Sequence, residues 1–321
     1  FKVALFSSDG VLLVSAYKEH QTQSPQPGQA ELDARAVWEN IKEGVRQVTV
    51  VSPTSEIKAL SVSSMGEAVV PVSADRQILG PSILNFDGRG EEFLPELAEK
   101  LPDSLLYAIN GNTLGNHYSL TKLLWIQKHQ PQLYAQTHKF LHWAGFVSYM
   151  LGAETAVDYS LANRTLLFDL EQEDWSERLL RELGLDREKL PRTVPSGAVI
   201  GRVPTSIAAD LGLPEGVQIM AGAHDQNANA VGCGVIDPGS AVYGMGTFHC
   251  ITPVFAAQPP PGLMIERGLN TEHHAVPARY VSFIYNQGGS LVKWYRDTFA
   301  AKEHELAQKE GRSIYPALFA E

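Results

Sequence analysis

Residues 221–250 read AGAHDQNANAVGCGVIDPGSAVYGMGTFHC and hold two features that could do chemistry. Asp225 closes an apolar run of Val217, Ile219, Met220 and Ala221, and about twenty residues later comes a small-residue turn, Gly244-Met245-Gly246-Thr247. An acid ending one buried strand and a turn ending the next can face each other across a cleft. That arrangement suits phosphoryl transfer, with a carboxylate to take a proton from a hydroxyl and a backbone cradle for phosphate. Position alone leaves other readings open. Asp225 equally suits the cap of a helix starting near Asn227, and Gly-x-Gly-Thr is common in plain turns. A second turn, Gly288-Gly289, opens a helix, whose free N–H groups favour an anion; a simple helix entry reads the same.

Further polar residues stand at the ends of apolar stretches. Glu67 follows a short strand and fits either a solvated loop or a contact to a polyol hydroxyl. Asp87 and Arg89 alone read as a surface ion pair. The adjacent His273 and His274 show no metal spacing, and His138 and His142 lack a third ligand, so a helix-surface role is expected for that pair. The sequence contains no G-x-x-x-x-G-K-[ST] loop, no G-x-G-x-x-G fingerprint, no G-x-S-x-G elbow and no cysteine-nucleophile signature.

The elements that must position these groups follow from periodicity and turn chemistry. Residues 1–6 and 11–14 flank Asp9-Gly10 as a hairpin, and the start inside a strand implies chain upstream. A helix is expected over 34–48, with Val37, Ile41, Val45 and Val48 on one face. Short strands are expected around 60–62, 68–72 and 82–86. Helices are expected over 120–129, 140–151 (apolar almost all round), 175–183 and 205–211, the last two closed by Gly184 and Gly212. Pro-rich 256–262 marks a domain boundary. A strand over 280–285 precedes a helix over 291–302, and 313–321 reads as a helix cut short. Alternating strands and helices with hairpins indicate an α/β class with a mixed sheet.

The chain has 321 residues, 44% hydrophobic and 19% charged, enough for two domains. A net charge of −10 without a Lys/Arg run argues against a nucleic-acid partner. Two cysteines, Cys233 and Cys250, make no disulfide framework and suit a cytoplasmic setting. No apolar run reaches membrane-spanning length, so no membrane partner is expected.

Several segments taken in order resemble the FGGY family of carbohydrate kinases. Ser119-Leu120-Thr121-Lys122-Leu123-Leu124-Trp125 resembles its S-x-x-K-L-x-W signature. Asp158-Tyr159-Ser160, Thr165, Asp169 and Trp175 follow its DYS…T…D segment. Leu190-Pro191, Gly201 and 221–226 complete the order. The resemblance covers nearly the whole chain.

The resemblance implies an actin/hexokinase-like (ribonuclease H-like) two-domain fold. Residues 1–254 would form the sugar-binding domain, lacking its first strand, and 255–321 the start of a truncated nucleotide-binding domain. It implies ATP and Mg2+ as cofactors, Asp225 as general base, and Gln226, His117, Glu67, Asp87 and Arg89 at the sugar. Gly246, Thr247, Gly289 and Lys293 would serve the nucleotide. His117 departs from the family's aromatic residue at that position, and Glu67 sits one place off the usual acid. The family's D-x-G-T-[TS] loop would precede Phe1 and its G-G-G-x-x-S loop would follow residue 321. Residues 1–321 alone are therefore expected to turn over poorly. The function implied is ATP-dependent phosphorylation of a sugar, sugar alcohol or sugar acid, foremost a ketose such as a pentulose, with a homodimer compatible. The alternative is a non-catalytic sugar-binding or regulatory relative that has lost its ATP site.

Overall fold

The computed structural model describes residues 1–50, 57–246 and 248–319. The N-terminal hairpin pairs Lys2–Phe6 with Leu12–Tyr17 antiparallel. Its tight turn is set by Gly10, whose φ of 80° suits glycine. Asp33 then starts a long helix, Ala34–Val50, by accepting the Arg35 and Ala36 N–H groups at 3.0 and 3.1 Å. Its Val37, Trp38, Ile41, Gly44 and Val48 recur every three or four residues and are the buried face. The Phe1 ring lies over Gly44.

The element that positions the acid is a three-stranded sheet. Val199–Arg202 pairs antiparallel with Gln218–Met220, which pairs parallel with Ala59–Ser61. The parallel pair continues past its formal end: Ser64 N–H donates to Ala223 O at 3.3 Å and Asp225 N–H donates to Ser64 O at 2.9 Å. The loops bearing Glu67 and Asp225 thus leave neighbouring strands side by side, at the end where open α/β sheets place their ligands.

Gly222 permits this close approach. A Cβ there would sit 1.7 Å from Val62 O and 2.5 Å from Val62 C, both backbone atoms that cannot rotate away. Gly222→Ala is expected to cost about 2–3 kcal/mol or more through overpacking and to displace Asp225 three residues on. Chemical denaturation read beside ligand binding checks both effects; unchanged stability would show that the two strands part easily.

The expected helix over 140–151 is corrected. Lys139–His142 is a strand paired antiparallel with Val69–Val72, and the helix is Trp143–Met150. A run apolar on every side carries no period, so only the partner strand separates the two states. His142 is accordingly not on a helix surface; it is buried, its Nε2 3.4 Å from Ser119 Oγ. One core lies between the Ala34–Val50 helix and the central strands, and a second surrounds Leu120, Leu123, Phe140, Leu161, Phe168 and Leu179.

The Gly244-Met245 pair lies in a strand rather than in a turn. Ala241–Met245 pairs with Phe248–Phe255, which also pairs with Tyr280–Val281 and Ile284–Gln287. The strand expected over 280–285 is thus two strands. This sheet joins residues on both sides of the expected division at 254/255. Helices Gly289–Phe299 and Ala301–Lys309 follow, and Tyr315–Leu318 forms a last turn of helix.

Candidate active site

A cleft of about 700 Å³ opens where the two parallel loops face the second sheet. Glu67, His117, Arg164, His224, Asp225 and Gln226 line one side, with Gly244, Met245, Gly246, Cys250 and Tyr285 across from them. Five residues expected from sequence therefore meet here: Glu67, His117, Asp225, Gln226 and Gly246. Thr247 lies outside the described residues.

Asp225 opens the helix Asp225–Gly232 as its first residue, so it does not cap a helix starting near Asn227. Its side chain keeps 46% of its exposure, open to the cleft. Burial raises its carboxyl above the ordinary aspartate value, opposed by hydrogen bonds from the Gln226 side chain and backbone N–H. Its Oδ1 lies 3.3 Å from His224 Nε2. Burial drives His224 down to about 3, with the Arg164 charge acting the same way, so the imidazole is neutral and leaves the carboxylate unquenched.

The DYS segment fixes this loop from behind. Asp158 Oδ2 accepts Ser160 Oγ at 2.6 Å and Ser196 Oγ at 2.7 Å, and Ser160 Oγ accepts the His224 N–H at 2.9 Å. Asp158 is wholly buried, and burial lifts it to about 6 against these hydrogen bonds. The group serves as an acceptor hub, one hydroxyl away from the backbone of His224, the residue before Asp225.

Glu67 is buried, not on a solvated loop. Arg164 Nε donates to its Oε1 at 2.8 Å, and Arg164 Nη1 donates to Glu272 Oε1 at 2.5 Å. Burial works to raise the Glu67 carboxyl, and the Arg164 guanidinium outweighs it, holding it at about 2. His117 stacks on Tyr118, ring centroids 4.0 Å apart; enclosure by the cleft and then Arg164 lower its imidazole to about 4.

Asp87 and Arg89 are not among the lining residues, and their pair is not at the surface. Both are buried; Arg89 Nη2 donates to Asp87 Oδ2 at 2.7 Å and to Glu31 Oε2 at 2.9 Å. The Ser119–His129 helix explains their place. Ser119 Oγ donates to Glu67 O at 2.6 Å. Lys122 Nζ donates to the carbonyls of Asp87, Arg89 and Asn116 at 2.7, 2.8 and 2.9 Å. The Trp125 ring lies 5.2 Å from the Arg89 guanidinium. One helix face thus ties together the Glu67 loop, the Asp87 loop and the segment leading to His117. Burial takes the Lys122 ammonium down to about 8.

On the far side, Gly289 N–H donates to Gly246 O at 2.9 Å, so the residue after the Ala241–Met245 strand meets the start of the Gly289–Phe299 helix. A Cβ at Gly288 would fall within the His249 ring, 1.9 Å from Cδ2. Lys293 is exposed on the following helix and does not line the cleft. Gly244 is paired with Cys250 across the sheet, and a Cβ added to it would meet Cys250 O at 3.6 Å and Asn229 Nδ2 at 4.0 Å, ordinary contact distances. The described residues hold no group of three or more acids, histidines or cysteines fit for a metal. A magnesium ion would be held chiefly by phosphate and water, as is usual for that ion.

Sequence reasoning passed over Arg164, Glu272, Asn85 and Tyr285. Arg164 left a signal: it is a lone cation in the apolar stretch from Leu161 to Phe168. Glu272 and Tyr285 left none, because they reach the site only through the second sheet.

The profile described as "FGGY family of carbohydrate kinases, N-terminal domain" matches residues 1–232. The xylulose kinase of Escherichia coli (strain K12) is 25% identical over 99% of this chain and 63% of its own length. The autoinducer-2 kinase of Photorhabdus laumondii is 28% identical over 99% of this chain and 60% of its own. The crystal structure of xylulose kinase from Rhodospirillum rubrum superposes with a TM-score of 0.87 at 25% identity, covering 96% of this chain and 63% of that one. The chain thus spans 60–63% of the length of these two curated relatives.

Proposed function

Because the chain belongs to the FGGY family of carbohydrate kinases and shares their actin/hexokinase-like (ribonuclease H-like) mixed α/β fold, we propose that it carries the sugar site and the base of an ATP-dependent carbohydrate kinase. The single observation behind this reading is the cleft itself: an accessible, upward-shifted Asp225 that shares its lining with Glu67, His117, Gln226 and the Gly244–Gly246 segment. The substrate is a ketose such as a pentulose, a choice supported by the names of the two xylulose kinases.

In this mechanism Asp225 takes the proton from the attacking hydroxyl. Gln226, Glu67 and His117 hold the remaining hydroxyls, with Glu67 as an acceptor fixed by Arg164. Asp87 and Arg89 act from outside the pocket, bracing the wall on which Asn85 stands. Gly246, Thr247 and Gly289 would serve the nucleotide, and ATP with magnesium would supply the phosphoryl group and offset its charge when bound. Lys293 stands outside the cleft lining, exposed on the helix that Gly289 opens, and has no part in this reading of the site.

The two-domain division belongs to the same proposal, with the border moved from 254/255 to the connection between Gly232 and Ala241, since hydrogen bonds bind Phe248–Phe255 to later strands. A cytoplasmic setting and a homodimer also belong to it. Both cysteines are free, and among the described residues no helix is long and apolar enough to cross a membrane.

Thermal shift with pentuloses, hexuloses, polyols and sugar acids, each with and without Mg-ATP, tests the reading. A ligand that binds only the folded state raises Tm by mass action. A rise with one carbohydrate, enlarged by Mg-ATP, is expected. A carbohydrate shift untouched by nucleotide would favour the non-catalytic relative, and no shift with any of them would overturn the carbohydrate site.

A further inference from the structure

The charge of the cleft bears on which carbohydrates it accepts, and this inference rests on the carbohydrate-kinase reading above. Among the described lining residues, Arg164 is the only Lys or Arg. Its guanidinium is 5% exposed and already bonded to two carboxylates, Glu67 through Nε at 2.8 Å and Glu272 through Nη1 at 2.5 Å. Glu272 is itself wholly buried and bound further by Asn270 Nδ2 at 2.7 Å, so its hold on Arg164 is not loosened by solvent. Asp225 adds a second acid to the lining. The two lining imidazoles do not offset it, since burial depresses His117 to about 4 and His224 to about 3, leaving both uncharged near neutrality.

Backbone donors at the Asp225 helix could in principle serve an anion, but the first ones are engaged. Asp225 N–H donates to Ser64 O at 2.9 Å, and Gln226 N–H supports the Asp225 carboxylate. Among the described residues, what faces the substrate around the base is therefore a set of hydroxyl partners with no unshared cation. A sugar carboxylate placed there meets like charges in a partly desolvated space, where such juxtaposition is costly.

We propose that this cleft selects an uncharged polyhydroxylated substrate and discriminates against sugar acids of the same carbon number. The pairing of Arg164 with Glu67 and Glu272 is the specificity device: it converts the one lining guanidinium from an anion receptor into a brace.

Isothermal titration with xylulose, xylitol, xylonate and gluconate at pH 7.5, in about 20 mM and about 300 mM salt, tests this. The best neutral ligand is expected to bind at least roughly tenfold more tightly than either acid at low salt, with the gap narrowing at high salt as screening weakens the repulsion. Glu67→Gln, which removes one of the two carboxylates on Arg164, is expected to narrow the low-salt gap severalfold by improving the acids relative to the neutral sugars. Xylonate or gluconate binding the unaltered protein as tightly as its best neutral ligand would overturn the selectivity and leave the kinase reading intact. Binding of none of the four by folded protein would count against both the selectivity and the proposed carbohydrate site.

Discussion

Asp225→Asn is expected to remove sugar-dependent ATP turnover by about 10²–10⁴-fold, the usual contribution of a positioned general base, while sugar affinity changes little. The substitution keeps the shape and the Oδ1 contact beside His224, and the backbone anchors are independent of the side chain: Asp225 N–H to Ser64 O, and Ser160 Oγ to the His224 N–H. Only proton acceptance is lost. The pH profile gives a second handle. Asp225 must be ionised to act, and burial places its carboxyl above the ordinary aspartate value. The rate should therefore fall, as pH is lowered, at a higher pH than a solvated aspartate would dictate. ADP release by the intact gene product, measured from pH 4 to 8 beside sugar titration, checks both. Turnover of the Asn variant within a factor of a few of the unaltered protein would remove Asp225 from the base role.

Arg164→Met carries the largest expected loss of stability, about 3–5 kcal/mol, because it leaves two buried carboxylates without their cation. Glu67 and Glu272 lie 97 and 108 residues from Arg164 in the chain. The guanidinium also stacks 4.9 Å from the Tyr118 ring centre and 6.0 Å from that of Phe283, so packing is lost as well. The denaturation midpoint should drop sharply. Adding Glu67→Gln and Glu272→Gln to Arg164→Met should recover much of the loss, since neutral amides cost far less to bury unpaired than carboxylates. A loss below about 1 kcal/mol in the single variant would mean that water reaches the two acids and that the cluster is a surface network.

The order of local motifs was legible because each is a contiguous string. S-x-x-K-L-x-W, DYS and AGAHDQ could be read without knowing what they touch, and they carried the fold class, the family resemblance and the choice of Asp225. The hairpin, the Ala34–Val50 helix and the glycine-closed helices were legible for the same reason: their signals lie within a few residues. The apolar run 140–151 was not, since pairing with Val69–Val72 turned its first part into a strand.

What the motifs do was decided only by tertiary structure. Ser119 and Lys122 read as signature letters, and the fold shows them gripping the Glu67, Asp87 and Asn116 carbonyls. Asp87 and Arg89 read as a surface pair or sugar contacts, and the fold encloses them with Glu31. Arg164 and Glu272 share no local pattern; their pairing exists because the second sheet lays residues 270–274 against the DYS helix, where His273 N–H meets Asn163 Oδ1, and against the end of the Asp103–Asn110 helix, where Thr271 N–H meets Gly111 O. A sequence states which charges are present, but whether a charge is a receptor or a brace depends on how many opposite charges reach it and how much water is left, and both are properties of the packed chain.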